Sequence, residues 1–221
     1  MHYQFDFHVI FRYAPYLLAG VKVTFEVTLI AVSLGMVIGL LIAVLRLSRL
    51  RVLRIPAIVY LEVFRNTPAL VLLIWLYYAI PIMTGLRLSA LESVSFALAA
   101  SAGANMAEIY RAGILSVNRG EVEAAKSLGL TGSQILRRIV LPQALRRMIP
   151  PFTNAFIAVV LLSSLVSVLG VPDLTYQAQN IAQLTFRPIE IFTAVAVVYM
   201  AISYALSFVA HRIEAWVSER T

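Results

Sequence analysis

The fold of this chain is decided by stretches such as PYLLAGVKVTFEVTLIAVSLGMVIGLLIAVL, residues 15–45. Its charged side chains are Lys22 and Glu26, which lie one helical turn apart near its start. The hydrocarbon core of a bilayer needs about 20 consecutive, mostly apolar residues in helical form. The stretch is longer than that, so we predict a transmembrane helix that tilts or projects beyond the lipid.

The composition of the whole chain is typical of a membrane protein. Hydrophobic residues make up 61% of the 221 residues and charged residues 13%, whereas soluble domains contain about 45–50% and about 25%. Four further apolar stretches are long enough to cross a bilayer: about residues 55–83, 88–115, 151–171 and 189–210. We therefore predict an all-α, polytopic membrane protein with five transmembrane helices and a single domain over residues 1–221.

Basic residues predict the orientation of these helices, because loops rich in lysine and arginine stay on the cytoplasmic side. They concentrate after the first span, between the third and fourth spans, and in the C-terminal tail: Arg46, Arg49, Arg51, Arg54, Arg119, Lys126, Arg137, Arg138, Arg146, Arg147, Arg212 and Arg220. The opposite loops hold only Arg12, Lys22, Arg87 and Arg187. We predict an outside N-terminus, an inside C-terminus and no removable signal peptide.

Several functional classes are excluded by what the sequence lacks. It contains no cysteine, and its three histidines lie near the chain ends, too scattered for a metal cluster. The phosphate-loop pattern GxxxxGK[ST] is absent, as is any recognisable catalytic triad. We expect a protein that is not an enzyme and has no metal site or cofactor of its own. The net positive charge lies in the inner loops, so we also expect no nucleic-acid partner.

One segment, about residues 116–148 and called the coupling segment below, is much more polar than its surroundings. Its sequence predicts a helix from Glu121 to Leu128 closed by Gly129, then a capping box beginning at Thr131. Pro142 is predicted to end the second helix. Such a segment could dock to another protein, or it could lie on lipid headgroups as an amphipathic helix.

A family resemblance favours docking. The residues Glu123-Ala124-Ala125, Gly129, Ile139 and Leu141-Pro142 match the full EAA signature (EAA, three residues, G, nine residues, I, one residue, LP) of permease subunits in bacterial ABC importers. The resemblance implies coupling helices that sit in a cleft of a cytoplasmic ATPase dimer, which binds ATP and magnesium. It also implies a second permease subunit, a periplasmic or lipid-anchored solute-binding protein, and a place in the cytoplasmic (inner) membrane.

Two further motifs resemble the polar amino acid branch of these permeases. EVFRNTP at residues 62–68 is similar to its ExxRxTP segment, and AEIYRAGI at residues 107–114 is similar to its AEIxRAGI segment. This resemblance implies import of a polar amino acid by alternating access. Two alternatives are an importer for an amino-acid-like compatible solute and a secondary transporter, although we find none of the inverted repeats that the latter requires.

Two interpretations are possible for the polar residues around Arg65. Arg65, Asn66 and Thr67 could bind the α-carboxylate of an amino acid, because a guanidinium holds a carboxylate through two parallel hydrogen bonds. Alternatively, Arg65 forms a salt bridge to Glu62, three residues earlier on the same helix, and we favour this second reading. Pro68 is expected to interrupt the helix in either case.

The fourth span departs from the family pattern. Leu161 and Leu162 stand where many relatives carry a lysine-aspartate pair, which leaves Ser163 and Ser164 as the polar pathway candidates. We therefore favour a heterodimeric permease core over a homodimer, with the charged site in the other subunit.

Three smaller expectations concern packing and loops. Asn105, Glu108 and Arg111 recur every three residues and are expected to pair with one another or with the coupling segment. Gly35 and Gly39 are expected to allow close helix packing. The outer loops at about residues 81–87 and 173–190 are expected to meet the solute-binding protein.

Overall fold

The computed structural model describes residues 4–85 and 88–218, with side chains as far as Arg212. Residues 86 and 87 of one predicted outer loop and Arg220 of the basic tail lie outside this range. Throughout the described part, helices alternate with short turns. The all-α prediction is therefore confirmed.

In chain order the helical elements are α1 (His8–Leu47), α2 (Arg51–Asn66), α3 (Ala69–Thr84), α4 (Ala90–Leu115), α5 (Arg119–Ser127), α6 (Gly132–Ile135), a π turn (Leu136–Val140), α7 (Leu141–Leu162), a 3₁₀ segment (Ser163–Leu169), α8 (Leu174–Thr185) and α9 (Pro188–Ser218).

Three stretches of the described chain are long and apolar enough to cross a membrane individually: His8–Leu47, Gly132–Leu169 and Pro188–Arg212. α2 and α3 meet the same criteria only as a pair. α4 is less apolar, because it carries many small and polar residues, and much of its surface is buried by neighbouring helices. The architecture is that of a helical membrane protein, with three or four spans by these criteria.

The predicted second span, residues 55–83, is wrong as a single helix. The chain turns by 118° between α2 and α3. Thr67 adopts an extended conformation and Pro68 begins the next helix, since proline cannot donate a helical hydrogen bond and disfavours helical geometry in the preceding residue. The expected interruption at Pro68 is thus confirmed, and the chain changes direction sharply there.

The centre of the bundle is the contact between α1 and α4. A Cβ at Gly39 would lie 2.8 Å from Met106 Cβ and 2.9 Å from the Gly103 carbonyl oxygen. At Gly35 the nearest atom, Ala102 Cβ, would be 3.1 Å away. The two glycines therefore permit the close approach that the sequence predicts.

The N-terminal segment and the start of α9 lie at the same end of the bundle. Glu190, whose side chain is fully buried, accepts a hydrogen bond from the Asp6 backbone N–H at 3.0 Å and pairs with Arg187 at 3.2 Å. Arg187 also donates to the Gln4 carbonyl. These contacts anchor the chain terminus to the link between α8 and α9.

Asp173 forms a second buried polar contact at the start of α8. Its Oδ1 accepts the Tyr176 backbone N–H at 2.8 Å, and the Tyr199 hydroxyl lies 3.5 Å from its Oδ2. The side chain is fully buried, and this burial raises the pKa of Asp173 to about 6, against the lowering effect of its hydrogen bonds. Nearby, Gly20 allows α1 to approach the Leu174 backbone.

Candidate coupling site and substrate pathway

The first helix of the coupling segment, α5, is closed at both ends. The Asn118 side chain accepts the Gly120 backbone N–H at 2.9 Å at its start. At its end, Gly129 has φ +79°, its N–H donates to Lys126 O at 2.9 Å, and the Leu130 N–H donates to Ala125 O at 3.1 Å. This is a Schellman motif, in which glycine adopts the left-handed conformation without strain. The prediction of a helix closed by Gly129 is confirmed.

The second helix begins with the predicted capping box. Thr131 Oγ1 accepts the Gln134 N–H at 3.4 Å, while the Thr131 N–H donates to Gln134 Oε1 at 2.8 Å. Two backbone donors at the start of α6 are thereby satisfied.

Pro142 does not end this helix, contrary to the prediction. The helix passes through the π turn into α7, and the Leu141 N–H donates to Leu136 O, five residues earlier. The wider π turn shifts the hydrogen-bond register just before the proline, whose missing N–H is tolerated in the first turn of a helix. The helix that contains the predicted fourth span begins before Pro151, because Pro150 and Pro151 lie inside α7.

Polar contacts join α7 to α5 and to the end of α4. The Gln143 side-chain nitrogen of α7 donates to Glu121 Oε2 at 2.5 Å. Arg147, one turn later, donates to the Ser116 carbonyl at the end of α4. A small apolar core between these elements is formed by Val117, Ala144 and Met148, with Val122, Ile139 and Val140 packed against it.

Four of the seven EAA signature residues share one surface. Ala124, Ala125, Ile139 and Pro142 line a shallow hollow together with Leu128 and Leu130, and Glu121, Arg138 and Gln143 complete its lining. Ala125 is buried, whereas Glu123 and Ala124 are exposed. Leu128 is 81% exposed and Leu136 is 47% exposed, so apolar side chains project from this end of the molecule without a partner in the chain itself. Such a surface suits docking to another protein.

Glu108 joins three helices through ion pairs. Its Oε1 lies 3.5 Å from Arg65 Nη1 of α2 and also contacts Arg46 of α1. Its Oε2 pairs with Arg111 Nε at 2.9 Å. The expected pairing of Glu108 with Arg111 is confirmed. Three guanidinium groups thus surround a single carboxylate.

The favoured salt bridge between Arg65 and Glu62 is wrong. Glu62 Oε2 instead accepts a hydrogen bond from Asn66 Nδ2 at 2.7 Å, and Arg65 pairs with Glu108. The packing of α2 against α4 makes a carboxylate from another helix available. Arg65 is 48% exposed, so it keeps part of its surface for other contacts.

The two serine candidates make their hydrogen bonds within their own segment. Ser163 is buried and Ser164 half-buried, and each hydroxyl donates to the carbonyl three residues earlier at 2.7 Å. Thr67 lies at the break between α2 and α3. Among the described side chains, no hydrogen bond or ion pair links residues 65–67 to these serines.

A cavity of about 320 Å³ lies between α4 and α7. Its polar lining residues are Ser101, Asn105 and Asn154, and its apolar ones are Leu98, Ala102, Met106, Ala155, Ala158, Val159 and Leu162. Sequence reasoning singled out Asn105 but missed Ser101 and Asn154. The signal that could have identified Asn154 is the presence of an amide side chain within the apolar fourth span.

Comparisons with known proteins identify the family. The family model described as the binding-protein-dependent transport system inner membrane component matches residues 35–220. The glutamine transport system permease protein GlnP of Escherichia coli (strain K12) is 38% identical over 212 residues, which cover 96% of this chain and 97% of that protein. The L-cystine transport system permease protein TcyL of Bacillus subtilis (strain 168) is 35% identical over 92% of this chain and 87% of its own length.

A solved structure has the same fold. It is described as the crystal structure of an amino acid ABC transporter with histidines, and its chain is 35% identical, with a TM-score of 0.90, over 96% of this chain and 99% of that one. This likeness agrees with the family match. The chain belongs to the family of inner membrane components of binding-protein-dependent transport systems.

Proposed function

We propose that this chain is the permease subunit of an ATP-driven importer that moves a polar amino acid into the cell by alternating access. The observation that carries this proposal is the geometry of the coupling segment. Four of its signature residues line a shallow hollow formed by α5, the π turn and the start of α7, and the Gln143–Glu121 hydrogen bond links α5 to α7. A partner that moves this surface would therefore move the membrane helices.

We infer five spans formed by α1, α3, α4, α7 and α9, with the N-terminus outside. α3 has 16 residues and is about 24 Å long at 1.5 Å per residue, shorter than the hydrocarbon core of about 30 Å, so it would span a locally thinned bilayer. The contact of Asp6 with Glu190 supports a common side for the N-terminus and the link between α8 and α9. The basic coupling segment would then face the cytoplasm.

The implied partners are an ATPase dimer, a second permease subunit and a solute-binding protein. The ATPase would supply ATP and magnesium binding, and the exposed Leu128 and Leu136 would meet its cleft. A heterodimeric permease core is supported by the cavity between α4 and α7, whose polar lining residues are neutral. A zwitterionic substrate would need its charges compensated elsewhere, and a second subunit could provide that compensation.

The polar amino acid is the proposed substrate class because serine and amide groups in the α4–α7 cavity can donate and accept hydrogen bonds. The pathway candidates Arg65, Asn66, Thr67, Ser163 and Ser164 would act during passage rather than as one preformed site. An amino-acid-like compatible solute is the alternative, since the same neutral groups could bind it.

Uptake into proteoliposomes tests this function. Vesicles would contain this chain, its ATPase, its second permease and the solute-binding protein, with labelled amino acids offered outside. We expect accumulation that requires ATP and stops when the ATPase is left out. Accumulation driven by an ion gradient without the ATPase would instead make the chain a secondary transporter. Full activity with this chain as the only permease would contradict the heterodimer.

A further inference from the structure

Residues 48–54, called the elbow below, comprise the turn between α1 and α2 and the first turn of α2. α2 does not continue across the membrane. α2 is inclined by 118° to α3, which is about 28° beyond a right angle. Since α3 is a proposed span, α2 lies much closer to the membrane plane than to its normal. It leaves the elbow just after α1 ends at Leu47.

One face of α2 packs on the protein. Ala57 and Leu61 are buried, and the Tyr60 hydroxyl donates to the Ala100 carbonyl of α4 at 2.5 Å. At about 100° per residue, these positions share one side of the helix. Apart from Phe64 and Arg65 near its end, which also contact the bundle, the other sides of α2 are largely exposed.

The opposite face of α2 is apolar and exposed. Val52, Ile55, Val59 and Val63 are spaced by three or four residues and lie on one stripe. Val52 is 82% exposed and Ile55 is 55% exposed. In a membrane protein, an in-plane helix with such a stripe places it at the boundary between headgroups and acyl chains.

The elbow itself carries uncompensated positive charge. Arg49, Arg51 and Arg54 are exposed, and no ion pair involves them in the described part of the chain. The first acidic residue after them is Glu62, which is hydrogen bonded to Asn66. Arg46, only three residues before the first of them, is by contrast paired with Glu108.

We propose that the elbow and α2 form a binding site for anionic phospholipids of the inner leaflet. The guanidinium groups of Arg49, Arg51 and Arg54 bind lipid phosphates through charge-assisted hydrogen bonds. The valine and isoleucine stripe lies among the acyl chains of the same lipids. This inference rests on the proposed membrane orientation, and it adds a lipid partner that the transport proposal does not require.

A three-site variant tests the proposal. The full chain with its partner subunits would be placed in nanodiscs, and binding of fluorescent phosphatidylglycerol measured without ATP. Each basic residue near an anionic surface contributes roughly five-fold to binding. We therefore expect the R49Q/R51Q/R54Q variant to bind this lipid roughly a hundred-fold more weakly. Binding of phosphatidylcholine should stay unchanged.

The matched control is R119Q/R137Q/R146Q, which removes three exposed arginines from the coupling segment but none from the lining of the hollow. It should leave phosphatidylglycerol binding as in the unchanged protein. Equal loss in both variants, or no loss in the first, overturns the proposal. So does release of the ATPase by the first variant with lipid binding intact, because the elbow would then be a protein contact.

Two further arms separate the lipid from other sources of phosphate and from the transport proposal. Inorganic phosphate should not displace phosphatidylglycerol, because it lacks chains to contact Val52 and Ile55; equal competition overturns the lipid assignment. Lipid binding is read without ATP or substrate. A failure of amino acid uptake would therefore not contradict the lipid-binding site, and a failure of lipid binding would not contradict the transport function.

Discussion

Arg65 Nη1 lies 3.5 Å from Glu108 Oε1, so an ion pair holds the end of α2 against α4 just before the chain breaks at Thr67 and Pro68. Arg46 and Arg111 contact the same carboxylate. Glu108 is 17% exposed, which makes it the least solvated member of the cluster.

Replacing this carboxylate should therefore be costly. Glu108→Gln leaves three guanidinium groups close together with no anion between them. Breaking a fully buried pair costs about 3–5 kcal/mol, and the partial exposure of these arginines reduces that to about 1–3 kcal/mol. A lower melting temperature in detergent measures the effect. Glu62→Gln is the control, because a glutamine oxygen can still accept from Asn66; an equal loss there would contradict the central role of Glu108.

A methyl group at Gly39 should disturb the packing of α1 on α4. The added Cβ would meet Met106 Cβ at 2.8 Å and the Gly103 carbonyl oxygen at 2.9 Å, so the helices must separate. Overpacking of this kind costs about 1–3 kcal/mol. Gly39→Ala is expected to lower the melting temperature, whereas Gly132→Ala, which meets no atom within 4 Å, should not. Similar melting curves for the two variants would refute the close contact.

Substitution of Gly129 should act through the shape of the coupling segment. Its φ of +79° is unfavourable for residues with a Cβ, and nothing lies within 4 Å of the position, so the cost is backbone strain of about 1–2 kcal/mol. Gly129→Val should weaken ATPase co-purification and uptake more than Gly129→Asn, because asparagine tolerates the left-handed region better. Equal behaviour of the two variants would argue against a conformational role.

Asp173 should make stability depend on pH. Burial raises its folded-state pKa to about 6 from an ordinary value of 3.8, so the folded protein holds this proton more tightly than the unfolded chain. The protonated carboxyl group stabilises the folded state fully below about pH 4, and this stabilisation is lost as the pH rises to about 6. The free energy of unfolding falls by an amount on the order of 2–3 kcal/mol over this range.

Asp173→Asn removes this titration and keeps an acceptor for the Tyr176 N–H. As the pH rises from 4 to 7, the melting temperature of the unchanged protein in detergent should fall relative to that of the variant. Parallel curves across that range would show that Asp173 is not the group responsible.

Local chemistry predicted much of this molecule from its sequence. The capping box at Thr131 and the closure at Gly129 depend on neighbouring residues, and both are present. The contact at Gly35 and Gly39 follows from residue size. The capping box and the glycine closure are determined by residues only a few positions apart in the chain. The helix contact is determined by the small size of glycine.

The wrong predictions concern the direction of the chain between helices, the continuation of a helix past a proline, and ion pairs between residues far apart in the sequence. Hydrophobicity along residues 55–83 cannot report a turn of 118°, and the identity of Pro142 does not reveal that a π turn accommodates it. Arg65 forms its ion pair with Glu108, which lies 43 positions away on α4. Such a pairing depends on how helices pack, which no local pattern of charges encodes.

The unbroken path from Gly132 to Leu169 has a mechanical consequence. At 1.5 Å per residue, its 38 residues form a rod more than 50 Å long. One end of this rod carries the motif surface and the other lies beyond the α4–α7 cavity. Under the proposed function, a sideways displacement of the base of this helix would tilt its whole length, and the α7 residues that line the cavity would move with it and change the width of the solute passage.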